Sequence, residues 1–598
     1  MATLDPGLAA RAKALGVATC YTNWAGETVD VDPAVVHVVV DMLGSPAAPQ
    51  ADADGSAEAG ATGAPAALSL PPPCWGWSIQ VYALHSEKSW GIGDFADLRT
   101  FVDWSGRTHG ADLVLVNPLH AVVPVHPITA SPYSPTSRRF INPLYLHIED
   151  LPEYESATAA VRAQVDALRL PPPSPDGLID WDAVWAAKAA ALQLLWPFAR
   201  HEESSPELRD FATFCALAEE LDLPWQQWPS DFRDPRGAGV SASRTRLSDR
   251  VAFHAWLQLL CDEQLGAVQA AATDAGMRIG LVHDLAVGVD PGGADSWALQ
   301  DVLAGNAAVG APPDSYNQLG QNWALPPWRP DALARSNYGP YRAMLEAILR
   351  RGGGVRVDHV MGLSRLWWVP RGNTADKGTY VSYDRAAMLD ILVESARARE
   401  ALVVGEDLGT VEPQMREALS VRGILGSAVF WFERSGDALD GPITPPGKWR
   451  EGAMASISTH DLPTAHGFLA GEHVRVRAEL GQLGQPVEQE QAKADADKAV
   501  MIRSLIDEGV LDPAEQDDPD AVTLAMHRFL GRTPARVLIA SPYDVLGELR
   551  QPNLPGTTDE YPNWCIPFSC SLAEMMADPR MAATADALRR PDGRQPGG

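Results

Sequence analysis

Cysteine is scarce in this chain, whose 598 residues include only six. No two of them form a Cys-x-x-Cys pair, and their density is far below that of a secreted domain stapled by disulfides. The first residues also lack the basic stretch followed by an apolar stretch that marks a secretion signal. We therefore expect a protein of a reducing compartment and predict a cytoplasmic location.

Long hydrophobic runs and positive charge are also in short supply. The longest apolar stretch, residues 35–43, falls well short of the ~18 residues that a membrane-spanning helix needs, and it contains His37 and Asp41. Against 48 Lys and Arg residues stand 77 Asp and Glu residues, which gives a formal net charge of -29. Such a surface repels nucleic acid phosphates and anionic lipids, so we expect neither nucleic acid nor membrane as a partner.

Cofactor-binding motifs are missing as well. The chain has no G-x-x-x-x-G-K-[ST], no H-E-x-x-H and no G-x-S-x-G, and its histidines show no convincing metal-ligand spacing. Residues 91–96 match G-x-G-x-x-A, but the preceding turn is too long for a dinucleotide-binding fold, and the next apolar run ends in Asn117 where an acidic residue would be expected. We therefore predict no metal and no cofactor.

The chain does have a regular alternation of apolar runs and helical patterns. Runs rich in β-branched residues alternate with amphipathic stretches such as residues 94–104, which predicts strands buried on both faces of a parallel sheet. Eight such units fit an α/β fold of the (β/α)8 TIM barrel type, with a doubly wound open sheet as the alternative. The runs are residues 77–84, 112–117, 279–284, 355–358, 402–406, 428–433, 455–459 and 537–541.

Several segments depart from this alternation. Residues 1–44 predict a short N-terminal segment, a helix followed after a turn by a second apolar helix or strand, and residues 45–70 a flexible Ala-, Gly- and Pro-rich linker. Residues 71–598 are then the catalytic barrel, with a large inserted helical subdomain after strand 2 at about 120–278. Residues 305–336, rich in turn formers, are predicted to be an irregular active-site loop.

Acidic residues follow several predicted strands, and in a barrel those strand ends meet at one mouth. Glycosyl transfer needs such carboxylates, one to attack the anomeric carbon and another to protonate the leaving oxygen. Arg356 shares a strand face with Asp358 and is expected to hold that carboxylate ionised. By spacing alone, however, a strand-end carboxylate is more often a helix cap or a surface charge. The groups are Asp284, Asp358, Glu406, Glu433 and the pair His460–Asp461.

Tryptophan is abundant, with 19 copies. Flat indole faces pack against the apolar faces of sugar rings, so tryptophans in loops are candidate substrate contacts, although any single one can simply belong to the core. Those in or beside predicted loops are Trp323, Trp328, Trp367, Trp368 and Trp564.

Seven motifs together resemble the 4-α-glucanotransferases, also called amylomaltases or disproportionating enzymes, of glycoside hydrolase family 77. They include SWGIGDFADL, RVDHVMGLSRLWWVP and STHDLPT, and they occur in the family's order. They lie at residues 89–98, 131–146, 310–323, 356–370, 403–411, 458–464 and 553–564.

The resemblance implies roles for individual residues. It makes Asp358 the nucleophile, Glu406 the acid/base and Asp461 the stabiliser of the transition state. The substrate-binding residues that it implies are Arg356, Asp284 and His460 at the donor site, Ser131 and Tyr133 (the platform under the donor ring), Gln321 and Trp323 of a flexible acceptor-side loop, and Asn563. In that loop this chain has Ser315, where some family members carry an aromatic residue and others a glutamate.

The function that follows is transfer of α-1,4-glucan segments between maltooligosaccharides, or to glucose, by a retaining double displacement. Maltooligosaccharides and α-1,4-glucans are the expected partners, and because they are neutral, the acidic surface does not oppose them. Two alternatives remain at this stage. One is an α-1,4-glucan hydrolase that passes the glycosyl group to water, and the other is a non-catalytic glucan-binding protein on an inactive barrel. The oligomeric state is left open.

Overall fold

The computed structural model describes residues 4–24, 26–44, 67–174, 177–200, 204–313, 319–409, 411–435 and 441–590. Eight parallel strands follow one another around a barrel, each beside its neighbour in sequence, and Val404 of the fifth strand pairs with Leu425, just before the sixth, to close it. The predicted TIM barrel is therefore confirmed and the open-sheet alternative is wrong. The strands are β1 (Cys74–Ile79), β2 (Leu113–Val116), β3 (Gly280–Leu285), β4 (Gly354–Val357), β5 (Leu402–Gly405), β6 (Gly426–Val429), β7 (Ala453–Ser456) and β8 (Val537–Ala540).

Three strands begin two or three residues earlier than predicted. β1 begins at Cys74, and β6 and β7 begin at Gly426 and Ala453, where the weakly hydrophobic residues Gly426, Ser427 and Ala453 are buried in the barrel. The prediction that Glu433 stands at the end of β6 is therefore wrong. Glu433 lies beyond the turn that follows β6, where its N–H donates to the Val429 carbonyl at 3.2 Å.

Helices surround the barrel after most strands. The first of them begins with a capping box in which the Asp94 carboxylate accepts from the backbone while Asp97 reaches back to the N-cap N–H. Between β6 and β7, the described residues contain only one helical element, the short 3-10 turn Pro446–Lys448. The helices around the barrel, in chain order, are Phe95–His109, Ser248–Asp274, Gly339–Leu349, Arg385–Arg397, Pro413–Ser420, Pro519–Gly531 and Pro579–Leu588.

A largely helical insertion separates β2 from β3, as predicted. Its short strand pair is His120–Ala121 with Ser137–Ile141, and helix Ser248–Asp274 packs on both the barrel helix Phe95–His109 and the insertion helix Pro206–Leu221. The insertion therefore shares a hydrophobic core with the barrel. Its remaining helices are Pro152–Ser156, Ala159–Asp166, Trp181–Leu195, Ser230–Arg233 and Ala238–Arg246.

Further helices complete the loops on the barrel. They are Ala294–Ala298 and Pro330–Arg335 between β3 and β4, Ala465–Leu469, Glu472–Glu479 and Val487–Asp507 between β7 and β8, and Pro542–Val545 and Leu572–Ala577 after β8. In the described part of the chain, no helix combines the length and the apolar character needed to cross a membrane.

The stretch predicted to be an irregular loop contributes instead to a four-stranded antiparallel sheet. The sheet order is Thr379–Ser382, Arg365–Pro370, Ala307–Ala311 and Gln321–Asn322. The prediction for residues 305–336 is therefore wrong in part, because these strands are stabilised by a partner strand far along the chain and not by a local pattern.

The N-terminal segment docks on that sheet. It consists of helices Pro6–Ala14 and Pro33–Leu43 with a hairpin, Cys20–Thr22 and Thr28–Asp30, between them. The structure thus has a two-stranded hairpin between the helices, where the sequence predicts only a short turn. Val17 forms a bridge with Val381, so the segment extends the edge of the sheet. Residues 45–66 of the predicted linker lie outside the described residues.

Candidate active site

The mouth of the barrel is organised by one buried guanidinium. Arg356 of β4 is in register with Asp284 of β3, so both side chains point to the same side of the sheet. Arg356 Nη1 donates to Asp284 Oδ1 and Oδ2, each at 2.7 Å, and to Asp358 Oδ1 at 3.1 Å. Arg356 therefore binds the carboxylate of Asp284, within β3, and that of Asp358, directly after β4.

Asp358 and Glu406 lie side by side at adjacent strand ends. Each directly follows its strand, and the preceding residues Val357 and Gly405 are paired. Backbone N–H groups hold the Glu406 carboxyl, with His359 N donating to Oε2 at 3.0 Å and Leu408 N to Oε1 at 2.7 Å.

The environment raises the pKa of both carboxyls. Burial raises the pKa of Asp358 to about 7; Arg356 opposes this rise, while Asp284 and Glu406 add to it. Burial also raises the pKa of Glu406, against Arg356 and the two backbone N–H groups. Raised pKa values on two neighbouring carboxyls suit acid-assisted nucleophilic chemistry, in which one carboxyl is charged while the other carries the proton.

Tyr133, His460 and Asp461 form a polar chain beside this pair. Tyr133 Oη donates to Asp284 Oδ2 at 2.7 Å and lies 3.2 Å from His460 Nδ1, while His460 Nε2 lies 3.3 Å from Asp461 Oδ2. Because the hydroxyl proton goes to Asp284, the Tyr133 oxygen is the acceptor for His460. Burial lowers the pKa of His460, but the charge and the hydrogen bond of Asp461, together with the charge of Asp284, raise it, and the net shift is upward.

Aromatic packing supports the same group from behind. The rings of Tyr133 and His460 stack with centroids 4.8 Å apart, and the Trp564 ring lies 5.2 Å from Tyr133 and 5.4 Å from His460. Trp564 is 5% exposed and accepts a hydrogen bond at its carbonyl from Trp181 of the insertion. Trp564 is therefore a packing partner of the site. Ser131 lies beside the same group, and its Oγ accepts the Tyr133 N–H at 3.3 Å.

Asn553 is a site residue that sequence reasoning missed. Its Nδ2 donates to Asp461 Oδ1 at 2.7 Å, and its backbone N–H donates to the His460 carbonyl at 3.1 Å. Asn563, predicted from the same motif, uses its amide within its own loop instead, accepting from Leu554 N at 2.8 Å and donating to Thr557 Oγ1 at 2.8 Å. The motif holds both asparagines, and no sequence signal tells them apart.

Comparison with known proteins agrees with this geometry. A family model described as 4-alpha-glucanotransferase (Glyco_hydro_77) matches residues 79–572. A 4-alpha-glucanotransferase of Mycobacterium tuberculosis is 45% identical over 602 residues, covering 95% of this chain and 82% of its own length. One from Haemophilus influenzae is 34% identical over 542 residues, covering 83% and 76%. The chain belongs to the 4-alpha-glucanotransferase family. The resemblance seen in the seven motifs is thereby confirmed.

Solved structures extend the comparison to the fold of this glucanotransferase-family chain. The crystal structure of amylomaltase from Corynebacterium glutamicum superposes with a TM-score of 0.84 at 32% identity, covering 98% of this chain and 99% of that one. An amylomaltase from Streptococcus agalactiae, solved with acarbose, gives a TM-score of 0.67 at 17% identity, covering 86% and 98%, and shows the shared fold.

Of the residues predicted for the acceptor side of this family member, Trp323 lies beside His359 and Gln321 lies beside Trp323. Trp323 Nε1 donates to Gln321 Oε1 at 3.1 Å, and the Trp323 ring meets the His359 ring edge-on at 5.3 Å. Since the His359 N–H holds Glu406, Trp323 is linked to the acid/base candidate through one residue. Ser315 lies outside the described residues.

The remaining loop tryptophans are core residues. Trp328, Trp367 and Trp368 are 9%, 1% and 0% exposed, and the last two belong to strand Arg365–Pro370. The prediction that they are substrate contacts is wrong, because Trp328 and Trp368 belong to a hydrophobic core and the Trp367 ring packs against Tyr21 and Tyr380, each at 5.0 Å. In the ranges that the model describes, no group of three or more His, Cys, Asp or Glu side chains is placed to hold a metal ion.

Proposed function

We propose that this member of the family transfers α-1,4-glucan segments between maltooligosaccharides, or to glucose, by a retaining double displacement. The observation that carries the proposal is the placement of Asp358 and Glu406 at adjacent strand ends, with Arg356 bonded to Asp358 and backbone N–H groups bonded to Glu406. This arrangement gives the two carboxyls different environments, and so different tasks.

In the first step Asp358 attacks the anomeric carbon of the donor sugar. This step needs Asp358 as the anion and Glu406 as the acid. Arg356, which bonds directly to Asp358, favours the charged form of that carboxyl. Glu406 delivers its proton to the glycosidic oxygen as the bond from this oxygen to the anomeric carbon breaks. The product is a β-linked glycosyl ester on Asp358 and a shortened glucan with a free 4-hydroxyl.

In the second step a new glucan enters as acceptor. Its 4-hydroxyl attacks the anomeric carbon while Glu406 takes the hydroxyl proton, and the Asp358 carboxylate leaves. The side chain of Asp461 is 43% exposed toward the mouth, and its pKa, which burial alone would raise, is lowered overall by His460 and Asn553. An anion kept ionised there stabilises the positive charge that develops on the sugar ring.

The substrate class follows from the relatives. The curated relatives carry the name 4-alpha-glucanotransferase, and the structure of the Streptococcus agalactiae amylomaltase contains acarbose. We extend this to maltooligosaccharides as substrates of the present chain. Six cysteines without a disulfide among them support a cytoplasmic location.

Incubation with maltotriose tests the proposal. We expect glucose release and a ladder of longer and shorter maltooligosaccharides while the total concentration of reducing ends stays constant, because every broken bond is replaced by a new one. A glucan hydrolase would raise the number of reducing ends. A non-catalytic binding protein would leave maltotriose unchanged, and either result would reject the proposal. Asp358→Asn protein is the control for contaminating activity.

A further inference from the structure

The loop that carries His460 and Asp461 is fastened by a side chain that the reaction does not use. This loop, residues 458–465, connects β7 with helix Ala465–Leu469. The Asp544 carboxylate lies beneath it, accepting Ala465 N at 2.7 Å on Oδ1 and Ser458 Oγ at 3.2 Å on Oδ1 and 3.0 Å on Oδ2. One carboxylate therefore ties together both ends of the loop.

The same stretch of chain secures the loop between these ends. Thr464 Oγ1 donates to the Glu548 carbonyl at 2.5 Å, and Gln551 Nε2 donates to the Asp461 carbonyl at 3.2 Å. Asn553 adds its bond to the Asp461 carboxylate. The segment that follows β8 thus forms a base for the loop, and Asp544 is the buried acid within that base.

Burying the charged carboxylate of Asp544 costs free energy. Asp544 is 2% exposed, and burial raises the pKa of its carboxyl to about 6, against the Ala465 N–H and the Ser458 hydroxyl, which lower it. A carboxylate supplies acceptor sites on both oxygens, whereas an asparagine has one acceptor oxygen and would turn N–H donors toward Ser458 or Ala465. The other ionisable groups along this contact are Glu548, whose Oε1 accepts Ser569 N at 2.6 Å, and the pair His460–Asp461 at the loop tip.

We propose that Asp544 is a positioning residue for the transferase reaction: by closing the loop at Ser458 and Ala465 it sets His460 against Tyr133 and Asp461 toward the donor sugar. The proposal rests on the function proposed above, because it assigns to Asp544 the geometry of two residues of that site. It assigns no contact between Asp544 and substrate.

The test compares Asp544→Asn with Asp97→Asn. Asp97 is a matched control, since it is also a buried carboxyl whose pKa burial raises to about 6. It caps helix Phe95–His109 and accepts from Ser89 Oγ at 2.6 Å, and none of these bonds involves the loop at 458–465. We expect Asp544→Asn to lower kcat for maltotriose disproportionation by roughly 10- to 100-fold, with a smaller change in KM, as befits a shifted catalytic group. Asp97→Asn is expected to lower Tm by a similar amount with kcat unchanged.

A second readout follows the loop directly. In Asp544→Asn the pKa of His460, followed by NMR, is expected to fall, because a loosened loop weakens the contact with Asp461 that raises it. If Asp544→Asn does not fold, Ser458→Ala removes one partner of the clamp and is expected to lower kcat less, again with little change in KM. Wild-type kcat and an unshifted His460 pKa in a folded variant would overturn the proposal, as would equal losses of kcat in both Asp→Asn variants. Absence of transfer by the wild type would instead reject the proposed function, while the NMR titration would still test the clamp.

Discussion

His460 has a raised pKa although its side chain is only 11% exposed, and its two ring contacts explain how. Nδ1 lies 3.2 Å from the Tyr133 hydroxyl, and Nε2 lies 3.3 Å from Asp461 Oδ2. A neutral imidazole can donate from only one nitrogen, whereas the charged form donates from both. The pair therefore favours an imidazolium next to a carboxylate, and it places both charges at the edge of the donor site.

The charge state of His460 is open to titration. In Asp461→Asn the carboxylate that raises the pKa of His460 is gone, so burial, which lowers the pKa, dominates. We expect the pKa of His460 to fall, and the ring of the variant to be neutral at a pH where the wild-type ring is still charged. Imidazole NMR shifts recorded against pH measure this.

His527 is an internal control in the same spectra. It is 0% exposed, burial lowers its pKa to about 4, and its Nδ1 bonds to the Thr523 carbonyl at 2.9 Å without contact with the site. Its titration is expected to be the same in both proteins. An unchanged pKa of His460 in Asp461→Asn would contradict the assigned pair.

At the scale of elements, the four-stranded sheet beside the barrel positions Gln321 and Trp323, the residues proposed for the acceptor side. Its last strand, Gln321–Asn322, leads directly to Trp323, whose ring contacts His359 and so lies close to Glu406. A glycosyl ester is always exposed to attack by water, and a transferase needs a surface that favours sugar over water at this point. The half-buried indole of Trp323 is placed to serve as that surface.

Trp323→Ala tests this use of the sheet. We expect the ratio of hydrolysis to transfer to rise, because loss of the indole admits water and weakens the hold on the acceptor. The ratio is measured as the gain of reducing ends against glucose release from maltotriose.

The matched control is Trp225→Ala, which removes another half-buried indole, one that bonds to the Pro291 carbonyl at 2.9 Å. It is expected to leave the ratio unchanged. If Trp323→Ala lowers hydrolysis and transfer in proportion, then the residue only supports the sheet.

How far elements could be predicted depended on where their stabilising partners lie. β5 and β8 were predicted at 402–406 and 537–541 and end within one residue of these bounds, since their own side chains form the buried run. The sheet strand Ala307–Ala311 was missed, because it is built from small residues and depends on pairing with residues 367–370.

The site shows the same division between local and distant signals. The strand-end residues Asp358 and Glu406 were recognisable from their position after apolar runs and from the motifs around them. The contact between Asp461 and Asn553 joins positions 92 residues apart, and the contact between Asp544 and Ser458 joins positions 86 residues apart. Nothing local in the sequence marks such partners, so only the fold identifies them.

At the scale of the whole molecule, the N-terminal segment is part of the packing of the barrel. Val36, Val39 and Val40 of helix Pro33–Leu43 are all 0% exposed and belong to a core that also contains Trp368. Fully burying one valine side chain contributes about 1.5–3 kcal/mol, so this helix stabilises the molecule by several such contributions. Its residues make none of the hydrogen bonds described for the mouth.

Removal of residues 1–44 is therefore expected to separate stability from catalysis. We expect the truncated protein to unfold at a lower temperature, with kcat for maltotriose disproportionation unchanged when assayed well below its Tm. Calorimetry and the maltotriose assay measure the two effects.

A pair of substitutions on the same helix provides the control. Val36→Asp places a charge in the core and is expected to lower Tm, whereas Val38→Asp, at a position that is 43% exposed, is expected to leave it nearly unchanged. A truncated protein that is folded but inactive would show that the segment belongs to the site.

The most direct test of the account is to trap the glycosyl ester. In Glu406→Gln the second step stalls for lack of a base, but a donor whose leaving group needs no proton, such as an α-maltosyl fluoride, can still react with the nucleophile. We predict that the intact mass increases by one maltosyl unit, that peptide mapping places it on Asp358, and that the double variant Asp358→Asn/Glu406→Gln acquires no label. Label on Asp284 or Asp461, or no label on a folded and substrate-binding Glu406→Gln protein, would contradict the assignment of Asp358 as nucleophile.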